Sequence, residues 1–137
     1  MQNETQFNVV LDIGKTNVKL YLLQNNNSVV KIFNTKQKSK FYKRKVKLLD
    51  AQELINWLLK KLKTLSKNYS LNKFVCTAHG CSIAFIDEND KEIIAVTDYE
   101  YQFDKFVNEY KKIIPLFSKT YTPVLEGGLN LGQQVFF

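Results

Sequence analysis

A short polar segment near the start of the chain, residues 14–17 (Gly-Lys-Thr-Asn), combines residue types that bind phosphate. Glycine permits a close approach of the backbone and a positive φ, so the main-chain amides of Gly14, Lys15 and Thr16 can point at phosphate oxygens. The Thr16 hydroxyl adds a donor and the Lys15 ammonium adds a positive charge. Asp12 precedes the segment and is placed to hold a hydrated Mg²⁺. The segment therefore predicts a phosphate-binding corner.

The segment has two other interpretations, a P-loop and a plain turn. A P-loop requires a glycine five positions before Gly14, where Val9 stands, and a helix after the lysine, whereas residues 18–23 are typical of a strand. The second interpretation is a tight turn in which Asp12 bonds to the turn backbone and Asn17 adopts the left-handed conformation. The segment alone excludes the P-loop but does not separate a phosphate site from a plain turn.

Cys76 and Cys81 flank His79, the only histidine of the chain. Structural zinc needs about four ligands, usually with two close cysteine pairs, and this sequence has no second pair. A Cys–His nucleophilic site stays an alternative. The favoured interpretation is structural, with Cys76 in a buried strand, Cys81 near a turn and both thiols reduced.

Apolar and β-branched residues predict three strands over residues 8–13, 18–23 and 28–33, joined by short turns as an antiparallel meander. A helix is predicted from Asp50, whose carboxylate caps the first turn and forms a capping box with Glu53. Its apolar face packs on the meander. This face comprises Ala51, Leu54, Ile55, Leu58, Leu62 and Leu65. The pattern indicates an α/β fold with a mixed sheet and flanking helices.

The second half of the chain predicts shorter elements. Residues 73–78 are typical of a strand, and residues 82–87 and 93–96 flank a polar turn, as in a hairpin. A second helix is predicted from Asp104 to Pro115, which ends it. Residues 126–132 hold three of the five glycines and indicate a loop.

Composition limits the protein class. The chain has 137 residues, a net charge of +7 and 45% hydrophobic residues, which is ordinary for about one globular domain and excludes wholesale disorder. No apolar run approaches the ~20 residues of a membrane span, and the first residues do not resemble a signal peptide. We therefore expect a cytoplasmic protein without a membrane partner.

A basic segment, residues 31–47, holds eight Lys and Arg residues and no acid, with Phe33, Phe41 and Tyr42 among them. Cations interleaved with aromatic residues can bind phosphates and stack on bases, so an RNA- or protein-binding module is an alternative function. The simpler interpretation is a solvated face. Arg44 is the only arginine, which argues against sequence-specific DNA recognition.

Residues 9–20 resemble the first phosphate motif of the FGGY carbohydrate kinases, which are sugar kinases of the actin-like ATPase group with a ribonuclease H-like fold. Three further segments, residues 76–80, 95–100 and 130–137, look like later segments of that family and follow in its order. The resemblance covers nearly the whole chain. It implies ATP and Mg²⁺ as cofactors and transfer of the γ-phosphoryl group to a hydroxyl of a sugar or ketose.

The same resemblance assigns roles to individual residues. Asp12 organises Mg²⁺, and residues 14–17 (Gly14, Lys15, Thr16, Asn17) approach the nucleotide phosphates, although many members have Thr and Ser where this chain has Lys15 and Asn17. The candidate sugar contacts are His79, Asp98, Tyr99 and Gln133. A structural role stays open for three of them. These roles are a loop-carbonyl contact for His79, a turn cap for Asp98 and a core position for Tyr99.

The resemblance also implies that residues 1–137 form only the opening part of the first, ribonuclease H-like domain. The family's general base, an Asp, and most of the adenosine pocket lie beyond Phe137, and the aromatic end of the chain indicates truncation. We expect the isolated chain to be inactive without the remaining part of the enzyme. The sequence leaves open which sugar is used, whether the intact enzyme is a homodimer, and an alternative actin-like ATPase with a non-sugar substrate.

Overall fold

The computed structural model describes residues 5–42, 46–101 and 104–136. The strands are β1 (Gln6–Ile13), β2 (Asn17–Gln24), β3 (Val29–Lys36), β4 (Ser39–Tyr42), β5 (Val46–Leu49), β6 (Ser70–Ala78), β7 (Phe85–Ile86) and β8 (Glu92–Ile94). The helices are α1 (Ala51–Ser66), α2 (Asp104–Ile113), α3 (Phe117–Thr120) and α4 (Leu131–Phe136). The chain folds as two compact units. The first unit is Met1–Lys38 with Asp50–His79, and the second unit is Ser39–Leu49 with Gly80–Phe137.

The first unit is built on a mixed four-stranded sheet with the order β3-β2-β1-β6. Strands β1, β2 and β3 are antiparallel neighbours, whereas β6 is parallel to β1. Parallel neighbours need a crossover connection, and α1 lies in the segment that makes it. The predicted meander, mixed sheet and α/β class are confirmed.

The core of the first unit lies between α1 and one face of the sheet. Its buried residues are Val9, Leu11, Val18, Leu20, Leu22 and Leu65. Leu54, Leu58 and Leu62 of the predicted helix face pack against this cluster, while Ile55 remains 46% exposed. Burying this apolar surface, at roughly 25 cal/mol per Å², holds the helix on the sheet.

Only one of the two hydrogen bonds of the predicted capping box forms at the start of α1. The Asp50 carboxylate accepts a hydrogen bond from the Glu53 N–H at 3.1 Å, as predicted. The reciprocal contact is replaced, because the Asp50 N–H donates to the Lys38 carbonyl at 2.9 Å and the Glu53 carboxylate pairs with the Lys38 ammonium at 2.5 Å. The helix start is thereby tied to the residues that follow β3.

In the second unit, residues of the basic segment form an antiparallel pair, β4 and β5, which was not predicted. All four residues of β4 are exposed, so no apolar alternation announces this strand. The hairpin of β7 and β8 is shorter than predicted, and α2 begins at Asp104 and ends at Ile113, two residues before Pro115. The side chain of Asp104 lies outside the described part of the chain, so its capping role stays a prediction.

The prediction that Cys76 is buried is wrong. Cys76 lies in β6, which ends the sheet of the first unit, and its side chain is exposed. Cys76 pairs with the buried Leu11, but β6 has a neighbouring strand on one side only among the described residues, and the Cys76 side chain stays exposed. Cys81 is half-buried and has a φ of 61°, consistent with the predicted position near a turn. No helix in the described residues is long and apolar enough to cross a membrane.

Candidate functional site

The connection between β1 and β2 is a tight strand-to-strand corner. The Gly14 N–H donates to the Asn17 carbonyl at 3.0 Å, which leaves Lys15 and Thr16 as a two-residue tip. Strand β2 begins at Asn17, so no helix follows the lysine and the exclusion of a P-loop is confirmed. Lys15 is half-buried, and Thr16 is exposed.

Gly14 is required by space rather than by its backbone angle. A Cβ at this position would lie 2.7 Å from the Asn17 carbonyl oxygen, closer than non-bonded atoms approach. Gly14 does not have a positive φ, so that part of the prediction is wrong. The left-handed Asn17 of the plain-turn interpretation is also wrong, because this residue is the extended first residue of β2.

The tip of the corner is held by β3, a feature that the sequence analysis missed. The Gln37 N–H donates to the Thr16 carbonyl at 2.8 Å, one residue beyond the pairing of Asn17 with Lys36. The β2–β3 register, once known, would have predicted this bond. The hydrogen bond from Gln37 fixes the backbone of Thr16, the residue that carries the hydroxyl at the tip.

Asp12 lies on the face of the sheet away from α1. Its neighbours Leu11 and Ile13 point toward the core side, and successive strand residues face opposite ways. Its cross-strand partners are Lys19 on β2 and Thr77 on β6, which share its face. Asp12 is half-buried, and among the described residues none donates a hydrogen bond to its carboxylate. The carboxylate is therefore accessible to a ligand.

His79 lies at the same edge of the sheet as the corner. Its N–H donates to the Ile13 carbonyl at 2.9 Å, which extends the parallel pairing of β1 and β6 by one residue. The side chain is half-buried. Ligands of open α/β sheets bind outside the carboxyl ends of parallel strands, and both β1 and β6 end here. Thr77, which the sequence analysis did not single out, is the polar residue of β6 that pairs with Asp12.

A metal at this corner would be held by few protein ligands. Within residues 5–42, 46–101 and 104–136, no group of three or more His, Cys, Asp or Glu side chains is placed to hold a metal ion. Mg²⁺ commonly binds through one or two carboxylates together with phosphates and water. A single accessible carboxylate, Asp12, fits that donor set, whereas a structural zinc centre does not fit.

In the second unit, Asp98 is completely buried, and its carboxylate contacts Glu100 and Lys47. One carboxylate oxygen accepts the Glu100 N–H at 3.1 Å, and the other lies 2.9 Å from the Lys47 ammonium. Lys47, on β5, is the partner that sequence reasoning missed, because β5 itself was not predicted. These contacts describe the turn-capping role that the sequence left open, and the sugar contact stays a prediction.

Tyr99 and Gln133 border the predicted glycine loop of the second unit. The Tyr99 carbonyl accepts the Gly128 N–H at 2.8 Å, and Gly127 has a φ of 62°. Gln133 is fully buried and its amide donates to the Leu125 carbonyl at 3.4 Å. Gln134, also buried, donates to the Cys81 and Gly128 carbonyls and was missed.

The structure therefore places the candidate residues in two groups. The first unit brings together Asp12, residues 14–17 and His79, and the second unit brings Asp98 and Tyr99 to the glycine loop that leads to Gln133.

Lysines of the basic segment form contacts within the molecule. Lys31 lies 5.2 Å from the centre of the Tyr69 ring, and Lys38 and Lys47 form the ion pairs described above. The centre of the segment, Lys43, Arg44 and Lys45, lies outside the described residues. These contacts support structural roles for Lys31, Lys38 and Lys47.

The chain is similar to solved structures of carbohydrate kinases. A carbohydrate kinase from Novosphingobium aromaticivorans matches 97% of this chain with a TM-score of 0.86 and 25% identity. A xylulose kinase from Rhodospirillum rubrum matches 79% of this chain with a TM-score of 0.61 and 15% identity. Plasmodium falciparum glycerol kinase with ADP matches 80% of this chain with a TM-score of 0.59 and 18% identity. No protein-family model and no curated protein sequence matches the chain.

The chain spans 28%, 24% and 24% of the lengths of these three kinases, in the same order. The resemblance to carbohydrate kinases that residues 9–20 indicated is confirmed by these structures.

Proposed function

We propose that this chain is the phosphate-binding part of an ATP-dependent carbohydrate kinase, which transfers the γ-phosphoryl group of ATP to a sugar or ketose hydroxyl. The fold similarity to carbohydrate kinases supports the reaction class. We assign the ribonuclease H-like form of the actin-like ATPase fold on the same basis, together with a cytoplasmic location.

One observation carries the proposal. The corner of residues 14–17 lies at the carboxyl ends of the parallel strands β1 and β6, with Asp12 and His79 beside it. Because the Gly14 N–H is used inside the turn, the nucleotide phosphates would contact the tip, formed by Lys15 and Thr16. The Thr16 hydroxyl donates to a phosphate oxygen and the Lys15 ammonium offsets negative charge.

Asp12 is the residue that would hold Mg²⁺ with the nucleotide. When bound, the ion neutralises charge on the phosphates during phosphoryl transfer. The carboxylate is accessible and lies in the same turn region as the phosphate contacts, so a nucleotide and its ion would share one edge of the sheet. Lys19, across the strand from Asp12, adds positive charge to this face.

We retain His79, Asp98, Tyr99 and Gln133 as proposed sugar contacts. A sugar hydroxyl needs both donors and acceptors, which imidazole, carboxylate, phenol and amide groups supply. His79 is the strongest of the four because it lies beside the corner. None of them is assigned as general base, a role that the proposal leaves to a part of the kinase outside this chain, and the isolated chain is expected to give no kinase turnover.

The proposal is tested by an amide NMR titration of the chain with MgATP. We expect the largest shift changes at Lys15 and Thr16, with smaller changes at His79, and the same pattern at lower affinity with MgADP. Non-specific attraction of a polyanion to lysines would instead move the exposed lysines of α1, such as Lys60.

A single-stranded RNA oligomer is the matched competitor in this titration. The kinase proposal is supported if MgATP shifts the corner amides to saturation while RNA leaves those amides unshifted. The proposal is overturned if the corner amides stay unmoved by MgATP, or if RNA shifts them as strongly.

A further inference from the structure

Both main-chain groups of Gly128, in the glycine loop that precedes α4, are bonded within the molecule. The Gly128 N–H donates to the Tyr99 carbonyl at 2.8 Å, and the Gly128 carbonyl accepts a hydrogen bond from the Gln134 side-chain amide. Glycine loops that bind phosphates or other anions do so with unbonded main-chain N–H groups. Because the N–H of Gly128 is already used, this residue supports neighbouring backbone rather than binding an anion.

The glycine loop lies directly against the backbone of the turn formed by residues 98–101. Gly127 has a φ of 62°, in the left-handed region that favours glycine. A Cβ on Gly127 would lie 2.9 Å from the Tyr99 carbonyl oxygen and 3.4 Å from the Tyr101 carbonyl oxygen. A side chain at this position would therefore push the two backbones apart. The position of the glycine loop determines where one side of the turn lies.

This turn carries two of the proposed sugar contacts, Asp98 and Tyr99. Its shape is set by its own hydrogen bonds, from the Tyr101 N–H to the Asp98 carbonyl at 2.9 Å and from the Glu100 N–H to the Asp98 carboxylate at 3.1 Å. Its position is set by its neighbours, since the Asp98 N–H donates to the Lys47 carbonyl at 3.0 Å and Tyr99 accepts from the glycine loop. A change in the glycine loop should therefore move the turn without unfolding it.

Gln134 joins the glycine loop to a segment that is distant in the chain. It lies on α4 and is 8% exposed. Its side-chain amide donates to the Cys81 carbonyl at 2.6 Å and also to the Gly128 carbonyl. An amide nitrogen carries two N–H donors, so both donors of Gln134 are used. The side chain thereby fixes the glycine loop to Cys81, which lies 53 positions away.

An amide at this position lowers stability in one respect. The Oε1 atom of Gln134 is buried and accepts no hydrogen bond from any residue that the structure describes. A buried polar atom without a partner destabilises a fold, and an apolar side chain of similar length would avoid this penalty. Such a side chain could not bond to two carbonyl groups. Local features that lower stability are expected at functional positions, which favours a positioning role for Gln134.

The helix α4 also contacts α2 through residues other than Gln134. The Tyr110 and Phe136 rings are 5.8 Å apart. A Cβ on Gly132 would lie 2.5 Å from the Tyr110 hydroxyl oxygen, so glycine allows a close approach of the two helices. Loss of the Gln134 amide should therefore release the glycine loop while α4 stays on α2.

We propose that Gln134 is a positioning residue of the second unit. Its amide fixes the Gly128 carbonyl, and the Gly128 N–H fixes the Tyr99 carbonyl. The turn that carries Asp98 and Tyr99 is thereby held in place. The significance of this turn for sugar binding rests on the proposed function, whereas the link from Gln134 to Tyr99 does not.

The experiment is amide hydrogen exchange of the full chain, followed by NMR. Gln134→Met removes both donors and keeps a side chain of similar length. We expect the Gly128 N–H to exchange about tenfold faster or more, because the loop opens locally, and the amide shift of Tyr99 to change. The Leu49 N–H, which donates to the Val96 carbonyl at 2.7 Å in the same unit, should change much less.

A second variant, Gln134→Glu, separates the hydrogen bonds from packing. A neutral carboxyl has one O–H donor, whereas a carboxylate has none and repels both carbonyl oxygens. Burial and these oxygens raise the pKa of the new carboxyl above its ordinary value. A raised folded-state pKa gives a stabilisation that is present at low pH and disappears as the pH rises through the folded value. The protection of the Gly128 N–H, corrected for intrinsic exchange, should therefore recover between about pH 7.5 and about pH 5 in Gln134→Glu and not in Gln134→Met.

Val135→Ala is the matched control, since Val135 is the next residue of α4 and is 62% exposed. It should leave the exchange of the Gly128 N–H unchanged. Circular dichroism shows whether each variant is folded. If Gln134→Met does not fold, the comparison of Gln134→Glu at the two pH values decides the question.

Three results would overturn the positioning role. They are equal acceleration of exchange at Gly128 and Leu49, an unchanged amide shift of Tyr99, and no recovery of Gln134→Glu at low pH. The MgATP titration of the corner in the first unit is a separate measurement. If MgATP leaves the corner unmoved while Gln134 behaves as expected, the kinase proposal alone is overturned, and the reverse outcome excludes only the positioning role.

Discussion

The main chain of His79 is bonded to the residue that precedes the phosphate corner: its N–H donates to the Ile13 carbonyl at 2.9 Å. This bond extends the β1–β6 pairing to the point where both strands end. The only histidine of the chain, an accessible carboxylate and a glycine corner therefore share one edge of the sheet. A change at Gly14 should consequently affect both the fold of the first unit and its ligand binding.

Gly14→Ala should destabilise the first unit by about 1 to 3 kcal/mol, because the new Cβ would lie 2.7 Å from a backbone oxygen that cannot move without breaking the turn. Urea unfolding followed by the fluorescence of Trp57, the only tryptophan, measures the change. Gly80→Ala is the matched control, since a Cβ there meets nothing within 4 Å. Equal unfolding midpoints for the two variants would contradict the tight corner.

Asp12→Asn should remove the effect of Mg²⁺ on ATP binding. The unmodified chain is expected to bind ATP about tenfold more tightly with Mg²⁺ than without it, the order expected of one charged contact. The amide cannot replace the carboxylate as a ligand for the ion. Isothermal titration with and without Mg²⁺ provides the comparison, with Asp90→Asn, at an exposed acid of the second unit, as the control. If Asp12→Asn keeps the full Mg²⁺ effect, the metal assignment is wrong.

Asp98→Ala should destabilise the second unit by about 2 to 3 kcal/mol, because it leaves the Glu100 N–H and the Lys47 ammonium without their buried acceptor. The cost stays below that of a fully buried pair, since the Lys47 side chain is 36% exposed. Asp98→Asn keeps an oxygen for the Glu100 N–H and should cost about half as much. Thermal unfolding by circular dichroism compares them, with Glu126→Gln as control. Equal stability of both Asp98 variants and the unmodified chain would exclude the turn-capping role.

The Lys38–Glu53 pair should produce a pH-dependent contribution to stability. The hydrogen bond and the charge of Glu53 raise the pKa of Lys38 above its ordinary value of 10.5. A raised folded-state pKa stabilises the fold below the unfolded value, and this stabilisation disappears as the pH rises through the folded value. The stability difference between the unmodified chain and Lys38→Met should therefore be constant near neutral pH and shrink above about pH 10.5. Added salt should also reduce it, because both side chains are about half exposed or more.

Lys60→Met provides the reference for these unfolding curves, since Lys60 is an exposed lysine of α1, the helix that contains Glu53. A difference for Lys38→Met that is unaffected by pH and salt would show that the pair contributes through packing alone.

Local chemistry was readable from the sequence. The Asp50 cap of α1 depends on residues three positions apart, and the strand character around Gly14 excluded a P-loop, because backbone conformation and near-neighbour bonds are set by adjacent residues. The capping box was predicted only in half. The partner that displaced Glu53 from it, Lys38, lies fifteen positions from Glu53 in the chain, beyond the reach of a local motif.

The burial of side chains and the pairing of residues distant in the chain could not be predicted from local sequence patterns. Cys76 has a core-like sequence context and is nevertheless exposed, because β6 has a neighbour on one side only within the described residues. Lys47 and Asp98 are distant in sequence and become partners because β5 lies beside the residues that follow β8.

The order of residue types along the chain was thus sufficient for the antiparallel meander, the glycine corner and the kinase resemblance, since each rests on short-range patterns. Folding added the contacts around them: His79 at the end of β1, Gln37 on the Thr16 carbonyl, and Lys47 against Asp98. The physical reason is strand register. A register assigns every residue of two strands to its partner and its face at once, and it is set by the packing of the whole sheet rather than by any one segment.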